Sequence, residues 1–236
     1  LQLEQARSLR RGRAVLRQAY DHETGQFVDT RVVEANSYIL VSGLHPFYLK
    51  GMRDLLDIKV FLDPEEDLRR AWKTERDTKE RDYTAEQVTQ SMEERRADGR
   101  LYIEPQRQHA DLVVRFCRNS GAASTAVDGR EDGLHREGGL RLECRTDNSV
   151  NLFGLVEGLS SLPNLNITHE FDGSETQKFS AQGHVESGVL REIVAREVPA
   201  VDEIIHPNAR FSDDLNGILQ VVFLCLVSEK EGTSVN

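Results

Sequence analysis

Residues 41–83, VSGLHPFYLKGMRDLLDIKVFLDPEEDLRRAWKTERDTKERDY, decide how this chain is read. The stretch predicts a buried strand over Tyr38–Val41 ending in a Gly43-Leu44-His45-Pro46 turn, then a short amphipathic helix. A second apolar strand over Ile58–Leu62 and a long basic helix follow. The second strand shows no alternation, the pattern of a parallel strand covered on both faces. Asp63-Pro64-Glu65-Glu66 supplies an N-cap, a proline at the first helical position and acid in the first turn. Lys73 and Arg76 are three residues apart and share a helix face, and Arg81 lies five further on, near the Asp82-Tyr83-Thr84 break. Cations converging at the end of one helix suit an anion. The competing expectation is a solvated basic face with splayed side chains.

Composition sharpens that contrast. The chain has 236 residues, 38% hydrophobic and 30% charged, enough for a substantial core under a polar surface. Its net charge of −10 argues against a general nucleic-acid binder, because phosphate contacts need a surplus of cations. A basic cluster on an acidic body fits a small phosphorylated ligand better. Cys117, Cys144 and Cys225 lie far apart without C-x-x-C or a matching histidine spacing, which speaks against a metal site or disulfide framework. Reduced thiols in a cytoplasmic setting are the expectation. No stretch approaches the length of a transmembrane helix, and no secretory signal is visible at the start.

Around the deciding stretch, Leu1–Gln18 has helical character, with Gly12 ending the helix. Tyr20–Gly25 is a turn and Phe27–Glu34 alternates weakly. Thr84 with Gln87 forms a capping box ahead of a helix striped by Val88 and Met92. Tyr102–Gln106 reads as an extended turn held by Pro105, and Leu112–Phe116 as a third buried strand. Residues 119–139, poor in apolar side chains, read as a long exposed connection. Beyond it, strands are expected at 140–144, 165–171, 176–183 and 219–227, and a helix at 189–198.

Taken in order, these motifs resemble the phosphoribulokinase/uridine kinase family of P-loop kinases, most closely its phosphoribulokinase branch. The family segments look like E-G-L-H-P-x-Y, D-x-x-x-Y-L-D and W-K-x-x-R-D-x-x-E-R-G, matched here by 43–48, 57–63 and 72–81. Tyr102-Ile103-Glu104-Pro105-Gln106 with Ala110-Asp111 resembles Y-I-x-P-Q-x-x-x-A-D, and Tyr20-Asp21-His22-Glu23-Thr24-Gly25 resembles Y-N-H-x-T-G. Asn216–Gln220 looks like a worn N-G-T-G-L-F-Q. The resemblance implies an α/β fold with a partial P-loop-kinase-like parallel sheet and mixed or antiparallel strands appended in the C-terminal third. It divides the chain into a kinase-like core with a lid helix at 1–118, a linker at 119–139 and a C-terminal mixed extension at 140–236.

It also implies roles. Lys73, Arg76 and Arg81 occupy lid positions where cations meet phosphate charge, Arg76 also serving the substrate. His45 falls near the sugar substrate, its alternative being a turn histidine bonding backbone ahead of Pro46. Tyr20 and Asp21 shape the acceptor pocket, and Asp77 with Glu80 steers the lid cations. The implied partners are ATP, Mg2+ and a sugar phosphate or nucleoside; neither nucleic acid nor membrane is expected. Two departures qualify this. Ser42 stands where the family has Glu, in the vicinity of Mg2+ and ATP, and a neutral hydroxyl cannot replace that charge. The phosphate loop G-x-x-x-x-G-K-[ST] occurs nowhere in the 236 residues. The family places it upstream, so the chain reads as the C-terminal portion of a kinase, with a catalytically degenerate binding or regulatory domain as the alternative. With the loop's strand missing between Tyr38–Val41 and Leu112–Phe116, open strand edges are expected to drive homo-oligomerisation or contact with the missing N-terminal segment.

Overall fold

In the computed structural model, which describes residues 2–21, 24–119, 139–198 and 201–234, the backbone divides into two units. One comprises Leu1–Lys59 and Ala97–His109, the other Val60–Arg96 and Ala110–Asn236.

The first unit begins with helix α1 (Gln2–Arg10), which stops where Gly12 takes a φ of +74°. The chain then turns into strand β1 (Val15–Asp21), so the helical reading of residues 15–18 is corrected. β1 pairs antiparallel with β2 (Gln26–Val33) in a hairpin whose register slips between Gln18 and Ala19. Helix α2 (Lys50–Arg53) packs on α1, with Leu3 against Gly51. Arg10 ties the end of α1 to the Leu55 carbonyl and to Asp57, at 2.9 Å from the latter. Phe47, Met52 and the side chain of Gln106 are buried in this unit.

Two readings in this unit change. Tyr38–Val41 is not a strand: Tyr38, Ile39 and Leu40 are exposed, Leu40 by 91%. No described strand runs beside them, and apolar β-branched residues make a strand only when a neighbour accepts their backbone hydrogen bonds. The segment ending at Gln106 is helical rather than extended. Helix α5 (Arg96–Asp98) runs into a π-helical turn at Gly99–Ile103 and a 3-10 turn at Glu104–His109. Pro105 sits in the first turn of the latter, where a missing N–H costs nothing.

The second unit is built on a five-stranded sheet ordered β3 (Val60–Leu62), β4 (Leu112–Arg118), β5 (Leu140–Asp147), β7 (Thr176–Gly183), β6 (Leu165–Asp172). Only β3 and β4 are parallel; the other neighbours are antiparallel. The sheet is thus mixed α/β, with antiparallel strands appended to a short parallel pair. Across it Val114 faces Cys144, which faces Phe179, all buried. Alternate positions Arg141, Glu143, Arg145 and Lys178 are polar, as expected where one face is solvated. Asn119 N–H donates to Gly139 O at 3.0 Å, continuing the β4–β5 ladder, so the connection at 119–139 joins two paired strands of one sheet. Its residues 120–138 lie outside the described residues. β4 is paired on both sides, by β3 and β5, and therefore does not border a gap; the edge strands are β3 and β6.

Helices α6 (Phe153–Ser160), α7 (Ser187–Glu197), α8 (Val201–Ile204) and α9 (Leu215–Ser234) belong to this unit, α6 on β6 and α9 on β5 and β7. α6 carries no sequence expectation, and α9 replaces the strand expected at 219–227. Val221, Val222, Leu224, Cys225, Leu226 and Val227 are buried around nearly the whole helix circumference, which erases the helical period. The worn N-G motif is the first turn of α9, where Asp214 accepts from Asn216 N–H at 2.8 Å. A Cβ on Gly217 would lie 2.0 Å from Ser212 O, so only glycine fits there.

Candidate anion site on the basic helix

Helix α3 (Glu66–Glu80) leaves β3 through Asp63-Pro64-Glu65. Asp63 N–H and Glu65 N–H donate to Val114 O and Phe116 O, at 2.8 and 2.9 Å, so these residues prolong the strand. The N-cap position falls on Glu65 and has no side-chain cap bond, which corrects the capping role read for Asp63. Leu68 is fully buried, and Trp72 meets Phe116 of β4 edge-on at 6.1 Å between ring centroids. That apolar side fixes the rotation of the helix and sets which charges face away from the sheet.

Most charges on α3 are satisfied along the helix or by α4 (Ala85–Glu94). Glu66 accepts from Arg69 and Arg70, Arg70 also reaches Glu93, and Lys79 pairs with Glu75. Lys73, Arg76 and Arg81 are arranged differently. All of them pair with one carboxylate, Asp77, which is only 3% exposed. Lys73 Nζ bonds Asp77 Oδ2, Arg76 reaches Oδ1 at 2.8 Å, and Arg81 lies 3.4 Å from Oδ1. The spacing explains it: Lys73 and Arg81 are four residues before and after Asp77, on one face of the helix. Arg81 ends the helix with φ −133°, and Asp82 takes a left-handed φ of +56°, a conformation Asp tolerates better than most residues. Tyr83 N–H then returns to Asp77 O at 3.2 Å.

Burial pushes the Asp77 carboxyl up, but hydrogen bonds from Lys73 and Arg76 outweigh it and hold the group below its ordinary value of 3.8. The cluster sets three cations against one carboxylate, a local surplus of two positive charges. The guanidinium of Arg76 is about half exposed, leaving N–H groups for an external anion. Converging on Asp77, these side chains are not the splayed set of a solvated face. Asp77 itself carries the convergence; the i, i+4 spacing signalled its pairing, but not its burial.

The other sequence-predicted residues belong to the first unit. His45 is exposed in the Gly43–Tyr48 turn, its ring 6.4 Å from Tyr48 and 6.3 Å from Tyr102. Tyr48 and Tyr102 are themselves edge-to-face at 5.5 Å, an aromatic pair that sequence reading did not single out. Tyr20 and Asp21 end β1, paired in register with Phe27 and Gln26; His22 and Glu23 lie outside the described residues. Ser42 is exposed in the segment before Gly43.

A match to the family model "Phosphoribulokinase / Uridine kinase family" covers residues 1–122, from α1 through β4, including α3 and the His45 turn. The chain belongs to the phosphoribulokinase/uridine kinase family. It is similar to a phosphoribulokinase of Synechocystis sp., 40% identical over 114 residues, which is 48% of this chain and 34% of that protein. It is similar also to a uridine kinase of Staphylococcus haemolyticus, 31% identical over 130 residues, 54% of this chain and 61% of that one. The chain thus spans about a third of the length of the first relative and less than two thirds of the second. A phosphoribulokinase structure from Rhodobacter spheroides aligns with 95% of this chain and 73% of its own at 16% identity and a TM-score of 0.49, a likeness too slight to add to the assignment.

Family members use ATP and Mg2+ in phosphoryl transfer, and the described residues do not fit either group. No described cluster of three His, Cys, Asp or Glu could hold a metal ion. Ser42 brings no carboxylate. Among the described residues no helix is long and apolar enough to cross a membrane.

Proposed function

We propose that this chain supplies the lid and acceptor-side portion of an ATP-dependent kinase that phosphorylates a hydroxyl of a small sugar phosphate of the ribulose 5-phosphate class, or of a nucleoside. The observation that carries this reading is the convergence of Lys73, Arg76 and Arg81 on buried Asp77. A carboxylate holding three cations keeps them in place before any ligand arrives, so little side-chain entropy is lost when a phosphate binds. In this reading Arg76 offers its free N–H groups to the phosphate, while Lys73 and Arg81 supply positive charge beside it. His45 with Tyr48 and Tyr102, and Tyr20 with Asp21 on the hairpin, serve the acceptor. Nucleotide and Mg2+ are held by residues other than those described. The protein works in the cytoplasm.

A second reading, a catalytically degenerate binding or regulatory domain, is favoured by Ser42 in place of the family's Glu and by the absence of the phosphate-loop signature from these residues. Calorimetry with ribulose 5-phosphate, uridine and inorganic phosphate tests the shared anion site. The polypeptide of natural length, given ATP, Mg2+ and either acceptor, separates the readings. Phosphorylated product supports the kinase; binding without product supports the degenerate domain.

A further inference from the structure

Two of the sequence motifs meet at a single side chain. Gln106, the glutamine of Tyr102-Ile103-Glu104-Pro105-Gln106, is 2% exposed, and its amide is used on both ends. Oε1 accepts from Phe47 N–H at 3.1 Å. Nε2 donates to Leu44 O at 2.8 Å and to Tyr102 O at 2.9 Å. Leu44 and Phe47 bracket His45-Pro46, so the amide closes the turn from both sides and ties it to the helical segment that carries Tyr102. The bond geometry assigns the amide orientation: its acceptor meets an N–H and its donors meet carbonyls. Arg53 completes the clamp, donating to Phe47 O at 3.3 Å and Tyr48 O at 2.5 Å.

We infer that Gln106 is a positioning residue, which fixes the imidazole of His45 against Tyr48 and Tyr102 by clamping the backbone on either side of it. An exposed histidine in a turn with Gly43 two residues before it would otherwise sample many orientations. Here the ring lies 6.3–6.4 Å from two tyrosines that are themselves 5.5 Å apart. The bond to Phe47 N–H is buried and the two to carbonyls are half-buried, and a replacement that leaves Leu44 O and Phe47 N–H unpaired releases the turn. The inference rests on the proposed acceptor-side role of His45 only for its functional meaning; the clamp itself does not.

The test uses the full 236-residue chain and three measurements. In the unsubstituted protein, amide exchange at Phe47 is expected to be slow, like that of β7; exchange at the rate of a free loop overturns the clamp whatever any variant does. In Gln106→Leu, the His45 ring-proton NMR resonances, assigned with His45→Gln, are expected to move to their positions in an unstructured chain. The resonances of His169, held by Gln177 and Phe171 in the other unit, are expected to stay, which reports that the second unit is intact. Unmoved His45 resonances overturn the inference. Gln106→Glu keeps the acceptor for Phe47 but turns a carboxylate toward two carbonyls, so it is expected to shift His45 as well; if Gln106→Leu fails to fold, this variant and the Phe47 exchange rate decide. Finally, ribulose 5-phosphate affinity is expected to fall about tenfold in both His45→Ala and Gln106→Leu. Unchanged affinity in His45→Ala, with the His45 shift lost in Gln106→Leu, supports the clamp and overturns the acceptor role of His45.

Discussion

At the scale of single residues, the cluster on α3 makes two measurable claims. Truncating Arg76 removes a charge-assisted donor, each typically worth ~1.5–3 kcal/mol. Arg76→Ala is therefore expected to weaken ribulose 5-phosphate or phosphate binding by at least tenfold in calorimetry; a change under ~0.5 kcal/mol would return the cluster to an ordinary basic face. Asp77 gives the pH dependence. Its folded pKa is lowered, so the stability it contributes is present above its ordinary value of 3.8 and is lost as pH falls through the lower folded value. Urea denaturation from about pH 5 downward is expected to show a loss of stability below about pH 4 that Asp77→Asn flattens. Above that window Asp77→Asn is expected to be less stable by about 1–3 kcal/mol, because a buried amide cannot satisfy three cations. An Asn variant with the wild-type acid profile would show that the carboxylate is not held by its neighbours.

Helices α4 and α9 start in different ways. Thr84 caps α4, accepting from Gln87 N–H at 3.3 Å while Gln87 Oε1 accepts from Thr84 N–H at 2.8 Å. This reciprocal pair was legible from Thr84-x-x-Gln87 alone, because capping boxes depend on local geometry. Thr84→Ala is expected to cost ~0.5–2 kcal/mol in thermal or urea unfolding. Gly217 was not legible in the same way. Its requirement comes from Ser212 O, brought close by the turn in which Asp214 accepts from Gly217 N–H at 3.3 Å. Gly217→Ala is expected to destabilise by about 1–3 kcal/mol through overpacking, despite alanine's higher helix propensity. Greater stability in the Gly217→Ala variant would contradict the close approach.

For the molecule as a whole, the absence of the G-x-x-x-x-G-K-[ST] signature from the sequence predicts that the 236-residue chain alone does not turn over ATP with ribulose 5-phosphate or uridine. Turnover at about 1–100 per second, the ordinary kinase range, would require a phosphate site of a kind other than that signature. One edge of the sheet carries a second expectation. β3 has one neighbour, β4, and is short, but Leu62 is 67% exposed on it. Leu40 in the other unit is exposed as well. Such apolar surface is expected to make the chain self-associate, seen by sedimentation as a concentration-dependent mass. A monomer at all concentrations would show the edge to be sufficiently protected.

Local chemistry in the sequence determined the parts of this protein that depend on neighbours a few residues apart. These are α3 and its i, i+4 charges, the Thr84 box, the alternating strands β5 to β7, and the ordered motifs that carry the family. Tertiary structure decided the rest, for physical reasons that spacing does not encode. Tyr38–Val41 is apolar enough for a strand, yet a strand exists only beside another. Val221–Val227 is apolar on every side, so only its packing against β5 and β7 makes it helix rather than strand. Burial of Asp77 turned a charged helix face into a focused cluster, and burial of Gln106 joined two motifs separated by more than about fifty residues into one turn.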